Sequence, residues 1–191
     1  MLRYEFSIDY ILNIFKNYIL NLKVYDNYFK IELKNYDKLN FILNFFKLHI
    51  FFRYTNLIDI VCVDFINKKK RFELNYILFS IDYNSRIVVS INFNELNIIE
   101  SIINIYNGSN WMEREIWDMY GIYFSKHNDL RRILTDYGFN GYPLRKDFPL
   151  NGYIELRYNE NKKYISYETI EFMQNMRFYN FNNLFSKKYI S

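Results

Sequence analysis

Between positions 113 and 132 the chain sets Glu113, Arg114, Glu115, Asp118, His127, Asp129, Arg131 and Arg132 among tryptophan, tyrosine and phenylalanine. Glu115 and Asp118 share one face of a helix at i,i+3 spacing, so a general acid/base set is one reading of them. Proton chemistry also needs an enclosed pocket and neighbours that shift a pKa. Arg114, four residues before Asp118, can simply pair with it, and ion pairing accounts for the carboxylates more simply than catalysis does. Further along, Arg131, Arg132, Arg145 and Lys146 face Asp129, Asp136 and Asp147 in near-equal number. Charges in such balance among aromatics suit a buried polar interface, where they set register and orientation. His127 has no second ligand near it in sequence and reads as a structural histidine, while Trp111 and Trp117 read as packing anchors.

Composition narrows the chemistry. The 191 residues hold one cysteine, Cys62, and two histidines, His49 and His127. One cysteine provides neither an internal disulfide nor a cysteine-ligated cluster. A net charge of +4, from 25 basic and 21 acidic residues, is weak support for nucleic-acid binding. The basic run 68-KKKR-71 is expected to be a solvated turn. No segment reaches the roughly 18 apolar residues of a membrane span, and 1-MLRYEFSIDY-10 matches neither a signal nor a transit peptide. There is no alanine, whereas Asn, Lys, Ile, Tyr and Phe crowd every segment, the composition expected of an organellar or similarly A/T-biased genome. All five glycines (108, 121, 138, 141, 152) and both prolines (143, 149) fall in one window, so special backbone geometry is expected there.

The elements that must position these residues follow from periodicity. Ser7 caps an expected helix with Ile8, Ile11, Leu12, Phe15, Ile19 and Leu22 at helical spacing. The run 29-FKIELK-34 alternates as a strand, and Leu39, Ile42, Leu43 and Phe46 mark a second helix that closes at His49. The apolar run 57-LIDIVCVDF-65 suggests a central strand covered on both faces. Residues 72–83 and 86–93 read as a hairpin turning at Asn84-Ser85, with a bulge near Ile77. A helix from Asn94 to Tyr106 is expected to stop at Gly108. The order predicts an α+β domain over 1–108, its helices packed on one mixed or antiparallel sheet.

Asn110 and Glu113 have capping-box spacing, opening a helix over 111–120 with an apolar stripe of Met112, Ile116, Met119 and Tyr120 that Gly121 ends. From 125 to 158 no helical or strand period lasts, yet Tyr, Phe and Leu are too frequent for a disordered linker. Such a segment needs a surface to lie on, so 109–158 is expected to be a docking arm and 159–191 a tail lying on partners.

The block Glu113-Arg114-Glu115, Asp118-Met119-Tyr120-Gly121, His127 and Leu130-Arg131-Arg132-Ile133-Leu134 resembles the signature of the 30 kDa subunit family of respiratory complex I, the proton-pumping NADH:ubiquinone oxidoreductase. The likeness runs on through Asp136-Tyr137-Gly138-Phe139, Gly141, 143-PLRKDFPLNGY-153 (with Arg145, Lys146, Asp147 and Phe148), Glu155 and Arg157-Tyr158. It is faint at Gln174, Arg177 and Phe178. The resemblance implies a non-catalytic scaffold in the peripheral, quinone-reducing arm, on the matrix side of the mitochondrial inner membrane. It implies that this chain binds no cofactor, FMN and iron–sulfur clusters being held by other subunits. The implied partners are the large quinone-pocket subunit of the 49 kDa type and small cluster-carrying subunits, with no nucleic acid and only indirect contact with the membrane. The implied interface comprises Glu113, Arg114, Glu115, Asp118, Gly121, His127, Arg131, Arg132, Asp136, Tyr137, Arg145, Lys146, Asp147, Phe148, Arg157 and Tyr158. Asn128 stands where the family usually has Pro, and Tyr142 where it often has His, which argues against proton transfer at that position. Two readings from other classes stay open: an organellar ribosomal or RNA-binding protein, betrayed by RNA retained at high salt, and a stand-alone enzyme, betrayed by activity of the isolated chain.

Overall fold

In a computed structural model of the chain, residues 10–25, 28–175 and 177 are described. Ser7, Ile8, Phe178 and 181–191 therefore lie outside the described residues. The described chain forms two compact units that divide between Phe148 and Pro149.

The first unit is built on a five-stranded mixed sheet in the order β1-β2-β5-β4-β3. Its strands are β1 (Ile19–Val24), β2 (Tyr28–Leu33), β3 (Asn56–Asp64), β4 (Phe72–Ser80) and β5 (Ser85–Phe93). Only the β2–β5 pair is parallel; β1–β2, β3–β4 and β4–β5 are antiparallel. Alternation puts Phe29, Ile31 and Leu33 of β2 on one face with Phe72, Leu74, Tyr76 and Leu78 of β4 and Ile87, Val89, Ile91 and Phe93 of β5, all buried. A helical segment over 10–15, α1, covers that face through Ile11 and Phe15. Helix α2 (Leu39–Leu48) adds Leu39, Ile42, Leu43 and Phe46. The α+β class and the mixed sheet stand as the sequence suggests.

Several elements differ from the periodicity. Helix α1 ends at Phe15, where Tyr18 N–H bonds the Phe15 carbonyl at 2.8 Å. Ile19 and Leu22 then pair with Leu33 and Ile31 in the edge strand β1. Strand β3 lies at the opposite edge rather than at the centre. β4 and β5 pair without interruption; the irregularity is in β3, where Ile58 is extra opposite the Ile77–Leu78 step. Residues 94–106 form no helix but turns around the short β6 (Ile99–Glu100), which lies parallel to β7 (Phe124–Ser125). Bonds from Ile99 N–H to Tyr123 and from Ser101 N–H to Ser125 hold the segment extended. Gly108 is thus the N-cap of α3 (Ser109–Tyr120) and ends nothing.

The second unit carries an antiparallel hairpin, β8 (Ile154–Asn159) and β9 (Tyr164–Thr169), where the sequence had suggested no lasting period. Its register is largely amphipathic. Ile154, Leu156 and Tyr158 stand opposite Thr169, Tyr167 and Ile165, while Glu155, Arg157 and Asn159 stand opposite Glu168, Ser166 and Tyr164. The five large side chains of the first face are 47 to 65% exposed. A two-stranded hairpin is marginal by itself, and the apolar face of this one is about half exposed.

Candidate functional site

Helix α3 buries two carboxylates. Its C-terminus is set by Gly121 at φ +72°, whose N–H bonds the Trp117 carbonyl at 2.9 Å, the left-handed stop expected there. A Cβ at Gly121 would fall 2.5 Å from the Tyr142 ring and 2.7 Å from the Arg145 guanidinium. The chain after β7 therefore folds back directly over the helix end.

Asp118 organises that return. It is fully buried, and five donors converge on it. Oδ2 accepts the N–H groups of Ile133, Leu134 and Thr135 at 3.1, 2.7 and 3.0 Å. Oδ1 accepts the Thr135 hydroxyl at 2.6 Å and Arg132 Nη1 at 3.2 Å. Burial opposes the charge, but the Thr135 hydroxyl and the three N–H groups outweigh it and hold the pKa below the usual carboxylate value. Arg132 also donates to the Gly141 carbonyl at 2.9 Å and lies 5.0 Å from the Tyr142 ring centre. Asp118 thus pairs with Arg132 and not with Arg114, whose Nε donates to the Arg131 carbonyl and whose guanidinium lies over Trp111.

Glu113 is the second buried carboxylate. It caps no helix, and the capping-box spacing is accidental, because α3 begins at Ser109. Its Oε1 accepts Ile102 N–H at 2.8 Å and its Oε2 the Ser101 hydroxyl at 2.5 Å, which ties α3 to the strand segment before it. Burial pushes its pKa up to about 7, with Ser101 and Ile102 only partly offsetting this. The side chain of His127 is equally buried, its Nε2 3.9 Å from Glu113. Nδ1 accepts Asp129 N–H at 3.1 Å and Nε2 lies 3.3 Å from the Asn110 carbonyl, which assigns the proton to Nε2. A carboxyl near neutrality beside a histidine has the ingredients of proton chemistry, but neither side chain is open to a substrate.

A third cluster joins Asp64, Arg71 and Glu95, which lie outside the signature, to Arg145, Lys146 and Asp147, which lie within it. Asp64 and Arg71 form a bidentate pair, both bonds 2.8 Å. Arg71 reaches Asp147 at 2.9 Å, and Asp64 accepts the Lys146 N–H at 3.0 Å. The guanidinium beside them keeps Asp64 and Asp147 below the usual carboxylate range. Arg145 bonds the Tyr120 carbonyl at 2.5 Å and pairs with Glu95, with the Tyr142 ring 4.5 Å away. Arg71, read with its lysines as a solvated turn, is largely buried, whereas Lys68, Lys69 and Lys70 are exposed.

The remaining candidates separate. Glu115, Arg131, Asp136, Tyr137 and Lys146 are exposed. Arg131 pairs with Asp129, and the exposed Asp136 accepts the N–H of its own neighbour Tyr137. Trp111 is 55% exposed and anchors nothing in the core, while Trp117 packs near Tyr123 and Tyr142. Phe148 packs against Gly141 and Phe139. In the second unit Arg157 pairs with Glu155 and Glu171, and Tyr158 lies on the half-exposed apolar face of the hairpin. The described residues contain no group of three or more His, Cys, Asp or Glu fit to hold a metal ion.

The comparisons with known proteins are consistent with one another. Residues 34–154 match the family model described as the respiratory-chain NADH dehydrogenase 30 Kd subunit. The chain is 50% identical over 147 residues to NADH dehydrogenase [ubiquinone] iron-sulfur protein 3 of Solanum tuberosum, 77% of either chain. It is 46% identical over 142 residues to NADH-ubiquinone oxidoreductase subunit 9 of Reclinomonas americana, 74% of this chain and 70% of that one. Among solved structures, a chain of an archaeal membrane-bound sulfane sulfur reductase shares the fold. Its TM-score is 0.66 at 24% identity, covering 76% of this chain and 85% of that one.

Proposed function

Since the chain belongs to the respiratory-chain NADH dehydrogenase 30 Kd subunit family and is thereby a core subunit of that respiratory complex, we propose that its part there is structural. It braces the peripheral, quinone-reducing arm, supporting electron transfer from NADH to ubiquinone without a reacting group of its own. FMN and the clusters reside in neighbouring subunits. This chain, with one cysteine, lacks the thiolates of a cluster.

One observation carries this reading: both buried carboxylates of the signature helix are held by internal donors, five of them on Asp118. Saturated, inaccessible groups shape a surface and do not turn over a substrate. Arg131, Asp136, Tyr137, Lys146 and, in the second unit, Arg157 and Tyr158 are exposed and are the residues we assign to direct contact. Glu113, Asp118, His127 and Arg132 are the support beneath that surface. The half-exposed apolar side chains Ile154, Leu156, Tyr158 and Ile165 of the β8–β9 hairpin are a surface for burial against the large quinone-pocket subunit or a small cluster-carrying one. No helix among the described residues is long and apolar enough to cross a membrane, which fits attachment through partners on the matrix side of the mitochondrial inner membrane.

Native electrophoresis of detergent-solubilised membranes, with mass spectrometry locating this chain and an in-gel NADH oxidation stain, tests the proposal. Co-migration with a very large NADH-oxidising band is expected. Migration as a small free species, or with ribosomes, would overturn it.

A further inference from the structure

Along the seam between α3 and the edge strand β3 runs a cavity of about 200 Å³. Val61, Ile116, Met119 and Leu144 give it apolar walls, and Asp59 and Glu115 are its charged lining. No lysine or arginine lines it. Among the described residues neither carboxylate has an ion-pair partner. Glu115 is exposed, and Asp59 Oδ1 accepts the N–H of its own neighbour Ile60 at 2.8 Å. This contrasts with Asp64, Asp118 and Asp147 nearby, each of which has an arginine. The Cys62 thiol also reaches the cavity, but burial, with Asp64 adding to it, pushes its pKa far up, so it is a packed apolar group and not a nucleophile or ligand.

We propose that this notch is a docking point for a neighbouring protein subunit, taking one apolar side chain carried next to an arginine or lysine that pairs with Asp59 and Glu115. The inference rests on the reading of the chain as a subunit of the complex. Size selects the guest: small-molecule sites run to about 300–1,000 Å³, so this one holds a side chain and not a cofactor or a quinone. Charge selects its neighbour, since a patch with two unpaired acids and no base gains from a cation. The same acids count against an anionic lipid surface. Val61 and Leu144, 37% and 52% exposed, form a rim that a partner would cover, and Met119 is a side chain that adapts to the shape of what enters.

A photo-crosslinking benzoylphenylalanine replacing Glu115 in the assembled complex, followed by peptide sequencing, tests this. The expected product is a peptide of another subunit with Arg or Lys beside an apolar residue. In parallel, the doubly reversed variant Asp59→Lys, Glu115→Lys should lose about tenfold in incorporation when competing with the unaltered chain. Both positions are exposed, so its thermal unfolding should be unchanged. Reversing the partner's base should restore incorporation. Crosslinks confined to this chain, or unchanged incorporation of the reversed variant, would overturn the notch. If the unaltered chain enters the complex in that experiment, the subunit reading survives; if it does not, that reading falls with it.

Discussion

Glu113 and Asp118 sit on one helix, both fully buried, and burial has opposite outcomes for their protons. Donors win at Asp118, so its charge is kept; at Glu113 burial wins, and the pKa rises from 4.5 to about 7. The folded chain therefore holds a proton on Glu113 that the unfolded chain releases. Its contribution to stability is present in full below about 4.5 and is lost as pH rises toward 7, at about 1.4 kcal/mol per tenfold of proton affinity, or ~3 kcal/mol in all. Glu113→Gln, which keeps the shape of the protonated acid, should remove that slope. Urea unfolding midpoints at pH 5 and pH 7.5 check this: a smaller difference in the variant is expected, and equal differences would contradict it. Little at this scale was legible beforehand. Burial of Glu113 was masked by a spacing that imitates a capping box, and Arg114 looked like the partner of Asp118 because only local partners can be read from spacing. Asp64, Arg71 and Glu95 meet the signature through the fold, and no local pattern could flag them.

At the level of elements, the stop at Gly121 was legible because a glycine in a sequence without alanine marks backbone that only glycine tolerates. Gly121→Ala should cost roughly 2 kcal/mol or more, from the left-handed penalty of about 1–2 kcal/mol plus displacement of Tyr142 and Arg145; a thermal scan would show it as a lowered Tm, and an unchanged Tm would mean the fold-back is loose. Strand β1 was hidden because Ile19 and Leu22 continue the spacing of Ile11 and Phe15, and pairing with β2 overrides it. The segment 94–106 misled in the same way, its extended form being imposed by bonds to 123–125. The β8–β9 hairpin was missed although its apolar residues alternate, since charges and tyrosines occupy both strands. Its half-exposed face gives a further expectation: Leu156→Ser with Ile165→Ser should lower incorporation into the complex severalfold while leaving the unfolding of the first unit unchanged. Unimpaired incorporation would show that this face meets no partner.

For the molecule as a whole, α+β packing on a mixed sheet followed from the balance of helical and strand periods, and membership of the respiratory-chain family from the dense block between 111 and 158. The use made of that block was harder to see. Its charges look catalytic as a string of letters, yet folding spreads them over separate clusters, in which the buried carboxylates Glu113 and Asp118 are satisfied by donors of this chain. The central claim is that these groups hold the quinone-reducing arm together and take no part in the reaction. Arg132→Ala separates the alternatives, because it removes the partner of a buried carboxylate, a loss on the order of 2 kcal/mol after allowance for the partial exposure of the arginine. The measurement is NADH:ubiquinone turnover normalised to the amount of assembled complex. The account predicts less assembled complex with turnover per complex nearly unchanged; full assembly with a sharp drop in turnover per complex would contradict it.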